Sequence, residues 1–248
     1  MANPYNISWD KTGERFYETG VDHGVLYTQQ GTGTKAFTKA TPWNGLTSVS
    51  ETPSGAEAND IYADNIKYAV LRSAETLGGT IESYMYPDEF AECNGEKTPD
   101  GLTGVYVGQQ ARAMFGFCYR SDVGNDADPG IDVDTKYKLH LWWNCTASPS
   151  ERQYQTINES PDAITFSFEI TTTPIAVEGM KPTASMTIDT SKFEEGSKMV
   201  TNFNKLLQVL YGTPASGDPE QGGTPAKPGY LPTPDEVIHI LTEGSESA

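Results

Sequence analysis

The residues best equipped for chemistry in this sequence are His23, His140 and His239, three cysteines, and several close-set carboxylates. The histidines are far apart and share no metal-ligand spacing. His140 falls within an alternating segment and His239 within an apolar run, so packing or solvent contact accounts for both. Asp88, Glu89 and Glu92 could divide acid and base duties, as paired carboxylates do in hydrolysis. In a chain with 34 Asp and Glu, however, such clusters arise by chance. Asp126, Asp128, Asp132 and Asp134 offer oxygens to a calcium ion, but the Gly and terminal Glu of an EF-hand loop are missing, which leaves a solvated acidic loop. Gly31-Thr32-Gly33-Thr34-Lys35 imitates a phosphate cradle without the P-loop spacing or the helix that must follow, and reads as a turn. Trp142-Trp143 beside Leu141 suits a ligand platform or strand-end packing, and packing is the preferred reading. Cys93, Cys118 and Cys145 are odd in number with no C-x-x-C pair, which fits free thiols in a reducing compartment. Asn6, Asn144 and Asn158 head glycosylation sequons that carry no weight without a secretory signal. No catalytic residue, cofactor or metal is expected.

Composition points the same way. Across 248 residues, 17 Lys and Arg face 34 Asp and Glu, a formal charge of -17. That charge favours solubility and opposes binding to nucleic acid or anionic lipid, and the clustered Lys and Arg that grip phosphates are absent. The N-terminus lacks the basic and apolar regions of a signal peptide. No segment approaches the ~18 apolar residues of a membrane helix. The expectation is a protein folded in a cytoplasm whose work is done by shape and surface charge.

The elements that would present such a surface are mostly strands. Lys67–Leu71, Thr80–Met85, Met114–Tyr119, Lys136–Leu141 and Ala163–Ile170 alternate in character as strands do. Turn-rich acidic connections separate them at Tyr86–Val107, Gly124–Asp134 and Pro149–Pro161, and short strands with such turns argue for a sandwich or partly closed barrel. Val21–Gln29 is a plausible first strand. Residues 1–20 read as an arm and 31–59 as an extended hairpin, with Asn44-Gly45 between Trp43 and Leu46 as its turn. Asp189, Thr190 and Ser191 are N-cap candidates for one helix, whose apolar face is Val200, Phe203, Leu206, Leu207 and Leu210, with Gly212 as its stop. The Pro- and Gly-rich stretch 213–232 reads as a linker. Thr233-Pro234-Asp235-Glu236 then opens a short docking segment, 233–248, by a capping box.

Taken in order, these pieces resemble the major tail tube proteins of long-tailed, siphovirus-type bacteriophages of Gram-positive hosts. The likeness runs from about Val21 to Tyr211. It is carried by Ala63–Tyr68, by Thr80–Cys93, by Gly108-Gln109-Gln110, by Phe115–Arg120 and by Tyr137–Leu141. Pro161–Ser167, Thr171–Pro174, Lys181–Ala184 and Ile188–Lys192 complete it. Trp142–Cys145 and the segment from Thr213 to Ala248 depart from the family pattern.

The resemblance implies a mainly β fold with one flanking α-helix, a tail-tube-type β-sandwich or partial barrel over residues 1–212. In a hexameric ring it would close into a larger barrel, leaving no free sheet edge inside. It implies self-assembly of rings into a tube in the virion tail, with tape measure, terminator and distal tail proteins as partners. DNA would pass transiently, and no membrane would be involved. An acidic bore follows from the need to pass a polyanion unheld, with Glu82 or Asp88, Glu89 and Glu92 as the lumen-facing candidates. Trp43, Asn44, Gly45, Leu46 and Pro53, within 31–59, are the candidates for contact with the next ring. A contractile or phage-derived tube is a close variant. The rival from another class is a monomeric β-sandwich binding or adhesin module, with Trp43, Trp142 and Trp143 as its platform.

Overall fold

The structure is a computed structural model that describes Trp9 and residues 11–30, 37–55, 57–127, 136–157, 162–216 and 225–244. Among the described residues there are ten strands: β1 (Phe16–Gln29), β2 (Phe37–Trp43), β3 (Leu46–Gly55), β4 (Ala58–Ala63), β5 (Ile66–Arg72), β6 (Glu75–Ser83), β7 (Phe115–Asn125), β8 (Tyr137–Ala147), β9 (Phe166–Thr172) and β10 (Ser185–Asp189). Three helices join them: α1 (Phe90–Cys93), α2 (Lys198–Tyr211) and α3 (Pro234–Glu243). The chain is mainly β, and every pairing is antiparallel.

The principal sheet runs β2-β1-β7-β8-β9-β6-β3, and β8 is where it turns a corner. Residues Lys138–Trp142 of β8 pair with β10, whereas Cys145–Ala147 pair with β9. One layer is therefore β2-β1-β7-β8-β10, and a second, β9-β6-β3, folds over it. Period-two alternation sends neighbouring side chains to opposite faces. Leu26, Phe117, Trp142, Ile81 and Phe168 meet between the two layers, with Trp43 and Phe90. Val25, Tyr27, Cys118, Leu141 and Trp143 face the other way, onto α2 and α3. The two adjacent tryptophans thus serve two cores. Both are fully buried, as is Trp43, so these three form no exposed platform for a binding module. Gly79 makes room for this packing, because a Cβ there would sit 2.6 Å from the Trp142 ring.

Several local expectations are corrected. Asn44-Gly45 does not close a hairpin: β2 pairs with β1 and β3 pairs with β6, so the turn carries the chain from one layer to the other. An Asn-Gly pair specifies a change of direction, not the strand that follows. The true two-residue hairpin turn is Asp64-Asn65, where both residues have positive φ as the twist of tight hairpins demands. Asp189 caps a single 3-10 turn, not the long helix. Gly196, at φ +72°, breaks the helical path, and α2 begins at Lys198 behind Ser197, whose hydroxyl accepts from the Val200 amide. The stretch 213–232 is not free of apolar burial, since Leu231 lies in the helix-side core and pairs with Phe37. Thr233 caps α3 with Pro234 at its first turn, and α3 packs on its own chain beside α2. Residues 1–8 of the arm, Gly31–Lys35, Asp128, Asp132, Asp134 and the Asn158 sequon lie outside the described residues.

Candidate assembly surfaces

The groups suited to chemistry are spent on structure. Burial pushes the Cys93 and Cys118 thiols up to about 12 and raises Cys145 further, so all three are held as inert thiols. His23 sits 2.9 Å from Asp22, which forms two 3.0 Å hydrogen bonds with Arg120. Asp126 accepts from the Gly13 and Arg15 amides. Among the described residues no set of three or more His, Cys, Asp or Glu could hold a metal. No described helix is long and apolar enough to cross a membrane.

One polar knot ties the two layers together. Glu51 of β3 accepts from Tyr119 Oη at 3.0 Å and from the buried Trp142 Nε1 at 3.1 Å. His140 stacks on Tyr119 with ring centroids 4.5 Å apart, and its Nδ1 lies 3.8 Å from the same Glu51 oxygen. Glu51→Ala takes the acceptor from the Trp142 N–H, and because Glu51 is itself exposed, so that water reaches the gap, the loss is about 1 kcal/mol. Urea unfolding will show that loss, and Glu51→Gln, which keeps an acceptor oxygen, will recover most of it. Burial lowers the pKa of His140, against the opposing pull of Glu51 and Glu18. Its folded value therefore lies below the unfolded value of about 6.5. The stability it contributes is complete above that value and is lost as pH falls through it toward the folded pKa. The urea midpoint will thus drop between pH 7.5 and 5.5, and His140→Asn will flatten that drop.

The outer face of the second layer is of one kind. Ile81 and Phe168 point inward, so Thr80 and Glu82 of β6 point outward. Ser48 and Ser50 flank them on β3, and Ser167 and Glu169 on β9. Ser48 donates to Glu82 at 2.8 Å. The three strands contain no Lys, Arg or His at all. Glu82 thus lies on a surface of hydroxyls and carboxylates. Glu169, its companion, was not singled out from the sequence, although Phe166-Ser167-Phe168-Glu169-Ile170 already states the alternation that turns it outward.

The structure separates Glu82 from the other lumen candidates. Asp88 and Glu89 lead into α1, which buries Phe90, Ala91 and Cys93 and leaves Glu92 exposed. Asp88 accepts from Tyr106 Oη at 3.3 Å, and Glu89 pairs with Lys39 at 3.0 Å. The contact candidates divide as well. Asn44, Gly45 and Pro53 are exposed and Leu46 is half-buried, but Trp43 is core: it touches Phe90, and its Nε1 donates to Met85 O.

The most exposed element is one of which the sequence marked only the second strand, at Lys67–Leu71. The pairing of β3 with β6 continues into β4 with β5, making a long hairpin whose outer ribbon spans Ala58–Arg72. Asp60 and Lys67 form an ion pair on one face, while Ile61 and Leu71, on the alternate register positions, share the other. Ile66 and Tyr68 are 64% and 73% exposed. A lone two-stranded ribbon is marginal in water, and one that shows this much apolar surface has the character of a contact element.

The model of one protein family, described as phage tail tube protein, matches residues 15–203. That span holds all ten strands and the exposed ribbon, and it ends within α2. No curated protein matches the chain.

Proposed function

This chain belongs to the phage tail tube protein family, a family of structural tail proteins, and from that premise we propose that its copies close into six-membered rings whose stack forms the bore through which the genome leaves. The observation that carries this reading is the outer face of β3, β6 and β9, a sheet surface bearing Glu82 and Glu169 among hydroxyls, with no cation in any of its strands. Duplex DNA presents one charge per about 1.7 Å of its axis, and a wall with Lys or Arg would hold it by releasing counterions. A wall of carboxylates and hydroxyls does not. Screening over about 8 Å confines the repulsion to DNA close to the wall.

Ring closure joins sheet edges. β3 ends the second layer with an unpaired side, and pairing it to a neighbour removes an edge that otherwise invites aggregation. In this reading the ribbon Ala58–Arg72 reaches the next ring, in place of the hairpin 31–59 with its candidates Trp43, Asn44, Gly45, Leu46 and Pro53. It extends about 20 Å at the rise of a strand and shows apolar side chains that need cover. Asp88, Glu89 and Glu92 are assigned to a rim outside the bore wall. Tape measure, terminator and distal tail proteins are the further partners, in a long non-contractile tail of a phage that infects a Gram-positive host, with folding in the host cytoplasm before assembly.

Negative-stain microscopy of the concentrated protein tests the reading. Rings or rods of even width are the expected result. Small monodisperse particles at every concentration would refute it.

A further inference from the structure

Resting on the tube reading, we infer that a groove at the root of the ribbon receives the loop 97–107 of the next copy, latched by Asp100 between Arg72 and Lys181. The groove encloses about 460 Å³ and is floored by Pro53, Leu77, Pro174 and Pro182. Arg72 and Lys181 both border it, with Glu75 as the one acid. Both cations are exposed, and neither forms an ion pair with another described residue. In a chain with twice as many acids as bases, two cations without an ion-pair partner among the described residues, beside an apolar floor, suit a segment that brings both a carboxylate and an aliphatic side chain.

The loop 97–107 has that chemistry. Lys97 and Val107 close its neck through two 2.9 Å backbone hydrogen bonds, and the Leu102 amide donates to Pro99 O, so Asp100 sits in a turn beside Leu102. Leu102 is 52% exposed and Val105 44%. A Cβ placed at Gly101 or Gly104 would meet nothing within 4 Å, so the tip of the loop around Asp100 and Leu102 stands clear, while Tyr106 ties its base to Asp88.

Placement makes the contact one between copies. The groove lies at the Glu75 end of β6, and the loop is rooted beyond the Ser83 end, where Tyr86 packs on Phe166, the register partner of Ser83. Nine strand residues, about 27 Å, lie between the two ends. A joint between opposite ends of one strand is heterologous, and repeated from copy to copy it builds a stack. Charge complementarity at such a joint fixes the register and rejects the inverted approach.

The test is a charge exchange read by sedimentation and microscopy of the full chain. Asp100→Lys alone, or Arg72→Glu with Lys181→Glu, will lower the stacked fraction at a fixed concentration by at least about tenfold through like-charge contact, and the triple variant will restore it. A second readout is independent of charge. Lys181→Cys with Asp100→Cys will give a ladder of covalent multimers on oxidation, because the three native thiols are buried and do not compete. Full stacking by both one-sided variants, failure of the triple variant to recover, or absence of the ladder in stacked protein overturns the latch while leaving the tube intact. A wild-type chain that never stacks overturns the tube reading itself, and the latch with it.

Discussion

A chain that ends at Gly212 will not fold cooperatively. The segment beyond the helix supplies Leu231, Val237 and Ile240 to the same buried cluster as Val25, Tyr27, Leu139 and Leu141. Burial of each such side chain is worth about 1.5–3 kcal/mol, so removing three costs a large share of the 5–15 kcal/mol that typically holds a domain together. Polar ties are lost as well. Trp143 Nε1 donates to Pro232 O at 2.7 Å and Asn202 Nδ2 to Leu241 O at 2.9 Å, and both bonds go with the deleted segment. The sheet itself is fitted to this segment: Gly116 lacks a Cβ at the point where Leu231 inserts, and any side chain there would collide with it. Far-UV circular dichroism through a thermal ramp will show the truncated chain without a sharp transition. Val237→Asp, a single change that keeps the chain length, will lower the melting temperature steeply. Cooperative melting of the truncated form within a few degrees of the full chain would mean that the C-terminal helix is an accessory after all. The matched family region ends at residue 203, so this chain completes its core with residues beyond that region.

That dependence was hidden from sequence reading for a physical reason. Thr213–Pro232 is poor in apolar residues and rich in Pro and Gly, the composition of a linker. One leucine decides otherwise, and a single Leu carries no periodicity. The capping sequence Thr233–Glu236, by contrast, announced α3 because the cap is a local device whose chemistry is complete within four residues. The strands of the core were legible on the same principle. Alternation at Phe166–Ile170 and Lys136–Leu141 is a direct consequence of one face being buried. What alternation cannot give is the partner: Asn44-Gly45 signals a hairpin, whereas its two strands lie at opposite ends of the sheet. The surface elements were the least legible. Of the ribbon Ala58–Arg72 only the second strand is legible, in the alternation at Lys67–Leu71; the first, Ala58–Ala63, buries almost nothing and carries no such pattern. The cation-free face could be read only once β3, β6 and β9 were known to be neighbours, although each strand displays its missing Lys and Arg openly.

The charge of that face gives the second large effect. Particles assembled with Glu82→Lys and Glu169→Lys will adsorb normally but will release their genome at least about tenfold more slowly at 50 mM salt, and will recover as salt is raised. Each substitution moves the wall by two charges toward the cation, and the change repeats in every copy around and along the tube. Counterions released from passing DNA then favour binding at every ring, and the penalty falls steeply with added salt because release is worth less when salt is already high. Both positions are outward-facing on strands whose core is formed by their neighbours Ile81, Phe168 and Ile170, so the fold tolerates the exchange. Glu82→Gln with Glu169→Gln separates charge from shape: it removes the carboxylates without adding a cation, and ejection will stay close to wild type. The comparison also locates the face. Were β3, β6 and β9 turned to the outside of the tube, lysines there would meet no DNA during ejection, and the rate and its salt dependence would match those of the unaltered particle.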